Sequence, residues 1–376
     1  MREDYKEKNM SDPRVAKLAK TLVEYSVKVK PGDWVIIWTH PLAEPLTREV
    51  MRCILRAGGH PSTLMGFEST RQILFEEANE DQLKWISPFE RMPFEDADAF
   101  IAIDASENTR AMTHVDSQKQ QIHSSARKGL MDTYFKRSAS GKLRWNLTYF
   151  PCQAYAQDAE MSLGDYEDFV YRSCFADQDD PVAKWNAVET DQAHWVDWLK
   201  RKKKVELRGP NIEIDLSIDG RTFDNSVATH NMPGSEIFTS PVEDSVNGWV
   251  DYSFPAIRLG REVDGIHLEF KNGRVEKATA EKNEDYLIKM LDQDAGARII
   301  GELGIGTNYA IDRFTKSILY DEKIGGTIHM AVGTGFPECG GKNESALHWD
   351  MICDMRTDSE IRVDGELFYK DGKIQV

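Results

Sequence analysis

The sequence is short of the features that mark several large protein classes. Its five cysteines, Cys53, Cys152, Cys174, Cys339 and Cys353, are widely spaced and contain no C-x-x-C pair. An odd, scattered set of this kind argues against a disulfide framework and reads as reduced thiols in a cytoplasmic protein. No apolar run approaches the roughly 18–20 residues that cross a bilayer as a helix, so no membrane partner is expected. The N-terminus from Met1 to Glu7 is charged and lacks the apolar core of a secretory signal. There is no G-x-G-x-x-G and no P-loop pattern, which leaves a nucleotide site without support. Basic charge is also in deficit. The 47 Lys and Arg stand against 63 Asp and Glu, for a formal net charge of −16. Nucleic acid would be repelled by that balance and is not expected as a partner.

What the 376 residues do contain is enough apolar material for two domains. Trp34-Val35-Ile36-Ile37-Trp38, entered from the turn Pro31-Gly32-Asp33, predicts a buried strand. Helical spacing follows through Leu46, Val50, Met51, Ile54 and Leu55, and Gly58-Gly59 ends it. Further strands are expected at Ser62 to Phe67, Ala97 to Ala105 and Leu143 to Phe150. Strands alternating with helical segments predict an α/β domain with a mostly parallel sheet. Residues Asp158 to Lys204 read as helical and charged, and the run Lys200 to Lys204 reads as a solvated helix end. At Val205 the texture changes to alternation through Ile212, Ile214, Leu216 and Ile218, closed by Asp219-Gly220. The expected division is therefore 1–203, the α/β domain, and 204–376, a strand-rich α+β domain with one clear helix near Asp285 to Asp292.

The second domain also holds the unusual chemistry. Glu236 follows a Pro-Gly turn and opens the β-prone stretch Ile237-Phe238-Thr239. Glu302 is the one acid in the glycine-rich segment Gly301 to Asn308. Asp321-Glu322 precedes Gly325-Gly326-Thr327-Ile328-His329, and His348 stands two residues before Asp350. In a strand that last spacing turns an imidazole and a carboxylate to one face, which is ligand geometry for a transition metal. Each piece alone also fits an ordinary turn or a hydrogen-bonded core pair. Several acids and histidines in short, glycine-flanked segments of one domain are harder to explain that way, because unpaired buried carboxylates are costly. The other histidines read as structural or surface residues, with His230 a marginal neighbour of Glu236.

The segments Pro233–Pro241, Gly301–Asn308, Leu319–Gly333 and Glu344–Ile352, in that order, resemble the M29 metallopeptidases, the aminopeptidase T/S group. The resemblance implies an N-terminal α/β domain, a C-terminal catalytic domain and a homodimer. It implies that Glu236, Glu302, Glu322, His329, His348 and Asp350 bind two divalent ions, zinc, cobalt or manganese. It further implies that the substrate is a peptide with a free N-terminus, with Glu302 or Glu322 moving the proton. Glu322 departs from the pattern, because its spacing to His329 differs from that of the better-known members. So does Phe336, which stands seven residues after His329 where the family typically has a tyrosine. A phenyl ring in the substrate pocket cannot donate a hydrogen bond to an oxyanion; Tyr309 and Tyr320 are distant substitutes. The main alternative is a mononuclear Fe(II) ring-cleaving dioxygenase built on His329, His348 and Asp350. A non-catalytic metal or peptide binder is a third.

Overall fold

The computed structural model describes residues 12–258 and 260–376, so the charged stretch Met1 to Glu7 lies outside the described residues. The chain forms two compact units. One ends at Trp185 and takes back Ala228–Pro233; the other comprises Asn186–Val227 and Gly234–Val376.

The first unit is an α/β layer. Strands β1 (Trp34–Thr39), β2 (His60–Met65), β3 (Ala99–Asp104) and β4 (Arg144–Tyr149) pair in parallel in the order β2-β1-β3-β4. β2 begins at His60, two residues ahead of the expected start, and so includes Pro61. An edge strand tolerates that missing N–H, and β2 is the edge. The connecting helix Glu44–Arg56 buries Leu46, Thr47, Val50 and Ile54, a stripe at helical spacing. It ends at Gly58, whose φ of +84° only glycine adopts freely, with Gly59 N–H reaching back to the Ile54 carbonyl at 3.0 Å.

The second unit is strand-rich and antiparallel. Its strands begin with the hairpin β5 (Lys204–Gly209) and β6 (Ile212–Ser217), followed by the short β7 (Asp224–Ser226). The chain then returns to the first unit, where β8 (Asn231–Met232) adds in parallel beside β4. It continues in the second unit through β9 (Glu236–Thr239), β10 (Asn247–Asp251), β11 (Ala256–Arg258), β12 (Arg261–Val263), β13 (His267–Lys271) and β14 (Arg274–Thr279). The helix Glu284–Leu291 comes next, then β15 (Ile300–Gly306), β16 (Thr327–Gly333), β17 (His348–Asp354), β18 (Glu360–Val363), β19 (Glu366–Lys370) and β20 (Lys373–Ile374). Eight strands form one sheet, β14-β13-β10-β6-β5-β18-β19-β20, and five form another, β17-β16-β15-β9-β7.

The two units part inside the helix Pro181–Leu199, upstream of the change of texture near residue 203. Trp185 is fully buried and its indole N–H donates to the Cys174 carbonyl of the first unit. Trp195, Val196, Trp198 and Leu199 instead pack into the core of the second. The lysine run follows the helix end and is exposed except for the half-buried Lys202, with Lys200, Lys202 and Lys203 paired to Asp197, Glu366 and Asp219. Among the described residues, no helix is long and apolar enough to cross a membrane.

Candidate metal centre

The five-stranded sheet of the second unit has two faces of opposite chemistry. Side chains alternate along a strand, and directly paired residues of antiparallel strands share a face. Leu303 and Ile305 of β15, Ile328, Met330 and Val332 of β16, and Trp349, Met351 and Cys353 of β17 all point into the apolar core. Their neighbours Glu302, His329, His348 and Asp350 therefore point the other way. Register aligns them: Glu302 and Asp350 both pair with Ala331, His329 pairs with Gly304, His348 with Gly333, and Glu236 of β9 with Gly306. The spacing of His348 and Asp350 does what a strand requires, putting both on one face of β17.

The glycines make room for this face. A Cβ on Gly304 would lie 2.0 Å from Nε2 of His329, so any side chain there would displace the imidazole. A Cβ on Gly306 would meet the Ile324 carbonyl oxygen at 2.3 Å, and one on Gly333 the Leu347 oxygen at 2.1 Å. The glycine-rich setting of Glu302 thus comes from close approach on the functional face, where functional groups alternate with Gly304, Gly333 and Ala331.

Glu302 stands at the centre. Its Oε1 is 3.3 Å from Nε2 of His329 and its Oε2 is 3.2 Å from Nε2 of His348. His329 Nε2 also faces Glu236 Oε2 at 3.5 Å, and His348 Nε2 faces Asp350 Oδ1 at 3.6 Å. Donor atoms of Glu302, His348 and Asp350 all lie within 4.8 Å of one another. His348 Nδ1 donates to the Thr334 carbonyl at 3.0 Å, which fixes the ring with Nε2 toward the acids. Phe336 lies edge-on to His348, with ring centroids 5.2 Å apart, and packs against Phe238. The two tyrosines weighed as substitute donors are placed otherwise: the Tyr309 hydroxyl donates to the Gly372 carbonyl, and Tyr320 is fully buried.

Three buried atoms of this cluster have no hydrogen-bond partner: Glu236 Oε2, His329 Nδ1 and Asp350 Oδ1. Buried polar atoms are rarely left unpaired, and here two of the three are carboxylate oxygens facing an imidazole nitrogen. Oxygen and nitrogen donors converging in this way fit a divalent transition metal. Charge within the cluster is strongly coupled. Burial alone would lower the His329 pKa, but Glu302 and Glu236 overcome it and raise it to about 10. His348 is likewise lifted to about 12, against burial, by Asp350 and Glu302. For Asp350 burial is outweighed by His348, and its carboxyl is held well below the usual range. Burial pushes Glu322 upward, with Lys323 pulling the other way.

Lys323 also belongs to this cluster, although little in its local sequence marks it out. Its side chain is wholly enclosed, with Nζ 3.4 Å from Glu236 Oε1 and a hydrogen bond to Glu322 Oε1. In Asp321-Glu322-Lys323 the lysine reads as one more surface charge. The available signal was the uncharged stretch Ile324 to Ile328 that follows it. His230 belongs to the first unit, where its ring contacts Trp145. That unit also contains a cavity of about 1030 Å³ outside the carboxyl ends of β1 and β3. Trp38, His40, Phe67, Asp104 and Tyr155 line it, and none of the six expected metal ligands does.

A family model described as thermophilic metalloprotease (M29) matches residues 11–374. Aminopeptidase 2 of Geobacillus stearothermophilus is 27% identical to the chain, across 97% of this chain and 96% of its own length. Aminopeptidase T of Thermus thermophilus is 27% identical across 61% of this chain and 62% of its own. Among solved structures, wild-type AmpT from Thermus thermophilus matches with a TM-score of 0.85 at 21% identity, covering 96% of this chain and 99% of that one. A 2,5-dihydroxypyridine dioxygenase from Pseudomonas putida KT2440 matches with a TM-score of 0.56 at 14% identity, covering 98% and 99%. At these identities the two structures bear on the fold alone.

Proposed function

The chain belongs to the M29 family of thermophilic metalloproteases, and from that premise we propose that it is a metal-dependent aminopeptidase acting on peptides with a free N-terminus. The observation that carries the reading at residue level is the posture of Glu302, one oxygen toward each of two histidines. Glu302, His348 and Asp350 would hold one divalent ion; Glu236, His329 and the other oxygen of Glu302 would hold a second. Zinc, cobalt and manganese all suit this donor set. Ions bound there would supply an activated water and polarise the scissile carbonyl.

The remaining work falls to the chain. Both oxygens of Glu302 are taken up facing the histidines, which leaves Glu322 as the better proton carrier. Burial raises its pKa toward the range a general base needs, and Oε2 is the oxygen that Lys323 does not occupy. The chain's overall net charge of −16 draws the ammonium of a substrate's first residue toward the protein at long range. Phe336 supplies an apolar wall beside His348 and no hydroxyl. The homodimer and a cytoplasmic location complete the reading and rest on the family resemblance and the reduced thiols.

The dioxygenase alternative requires both histidines and a single carboxylate around one iron. The group whose donor atoms converge here has one histidine and two carboxylates. Metal analysis of the purified protein, paired with hydrolysis of leucine amide and its N-acetylated form, decides between them. Zinc, cobalt or manganese with cleavage of the free amine alone is the expected result. Iron as the bound metal, or equal cleavage of the blocked substrate, would overturn the proposal.

A further inference from the structure

Lys323 divides the cluster into unequal halves. Its main chain is pinned on both sides: its N–H donates to the Tyr320 carbonyl, and its own carbonyl accepts from Asn308 N–H, each at 3.0 Å. The side chain is therefore delivered into the cluster by a fixed turn. There the ammonium takes Oε1 of Glu236 and Oε1 of Glu322. Glu236 Oε2, on the same carboxylate, faces His329. Among the described residues no lysine or arginine makes a direct ion pair with Glu302 or Asp350, which face histidine nitrogens; Lys323 reaches Asp350 only through longer-range charge, after His348 and His329.

We propose that Lys323 acts as a built-in cation that makes the two metal positions unequal, one tight at Glu302, His348 and Asp350 and one weak and exchangeable at Glu236 and His329. This inference rests on the two-ion reading given above. An ion held by Glu236 Oε2 shares its carboxylate with an ammonium and is repelled by it at short range in a buried setting. The ammonium also steadies Glu236, and orienting contacts of that kind are typically worth about 10- to 100-fold in metal affinity. Charge repulsion between a dication and a neighbouring ammonium in a poorly solvated site is the larger effect, so the net action of Lys323 is to weaken the second position. The enzyme would then be isolated half-loaded, with the second ion supplied from the medium.

The test is a cobalt(II) titration of chelator-stripped protein at pH 8, followed by visible absorption and by metal analysis after equilibrium dialysis. Two equivalents are expected, the first bound at least tenfold more tightly than the second. His348→Ala should remove the tight class, and His329→Ala the weak class only. Lys323→Met should tighten the second equivalent tenfold or more while moving the first little. Two equivalents of equal affinity in the wild-type protein would overturn the proposal and leave the metalloenzyme reading intact. So would a weakened second equivalent in Lys323→Met, which would make the lysine a positioning residue alone. Absence of any bound cobalt would overturn both. If Lys323→Met fails to fold, the wild-type titration and the two histidine variants still decide.

Discussion

The two units present their chemistry at different places on a sheet. In the first, parallel strands are followed by helices, and the concave surface forms outside the carboxyl ends of β1 and β3, where the strand order reverses. That is where open α/β sheets take ligands. In the second, the polar groups sit in mid-strand on the face of an antiparallel sheet whose reverse face is core. Loops can be rebuilt without disturbing a sheet, whereas a group on a strand is fixed by register and by what stands opposite it. A site of that kind gains rigidity and in turn dictates its neighbours, which is why the acids and histidines are interleaved with glycine and alanine.

The largest effect should separate the two regions outright. Glu302→Gln removes the carboxylate charge shared by both histidines, and should lower metal content and reduce kcat by about 10³-fold or more while the fold persists. Asp104→Asn, in the cavity of the first unit, should leave metal content unchanged; metal loss there would erase the distinction.

Crowding the functional face comes next. Gly304→Ala forces a methyl against the His329 ring, and overpacking of that sort destabilises by about 1–3 kcal/mol. Gly66 also lines the cavity of the first unit, but a Cβ added there would meet nothing within 4 Å, so Gly66→Ala should be near neutral in thermal unfolding. Equal losses at the two positions would show that the close approach on β15 is unimportant.

Phe336→Tyr is expected to raise kcat on leucine amides with little change in KM, since a hydroxyl beside His348 would act only in the transition state. A slower or unchanged variant would show that the ring serves as wall and that another group donates.

The last test is of pH dependence, and its sign follows from the raised histidines. His329 has a folded-state pKa of about 10 against 6.5 unfolded, so in the metal-free protein the stability it contributes is complete below pH 6.5 and lost as pH rises toward 10. Asp321, buried and raised to about 8 from 3.8, is lost in the same direction over its own interval. The melting temperature of chelated protein should therefore fall from pH 6.5 to 10. The metal-loaded protein should not share that fall, because neutral imidazole binds the ion more strongly as pH rises. Parallel curves for the two forms would contradict the account.

Much of this was legible in the sequence for identifiable reasons. β1, β3, β4 and the helix Glu44–Arg56 carry strong periodicity and glycine punctuation, and they lie within a residue or two of their expected places. The spacing of His348 and Asp350 gives a shared face once the segment is a strand. Lys323 was not legible, because a lysine beside two acids reads as solvated until the turn that buries it is seen. Nor was β8, a strand of two residues with no alternation to detect. Its place is set by partners far off in the chain, with Leu147 N–H bonded to the His230 carbonyl and the Asn146 side chain to that of Ala228. The role of Gly304 depends on its partner across the sheet, His329, which local sequence does not identify.

That short return strand has a consequence for anyone who divides the molecule. A fragment ending at Trp185 contains β1 to β4 but leaves the outer edge of β4 bare, because β8 is encoded more than forty residues downstream. An open edge of backbone donors and acceptors invites pairing with other chains. The first unit cut from the second would then be prone to self-association, and a single proteolytic nick between them would not set either free. The polypeptide passes between the units three times, so separating them intact takes three cuts.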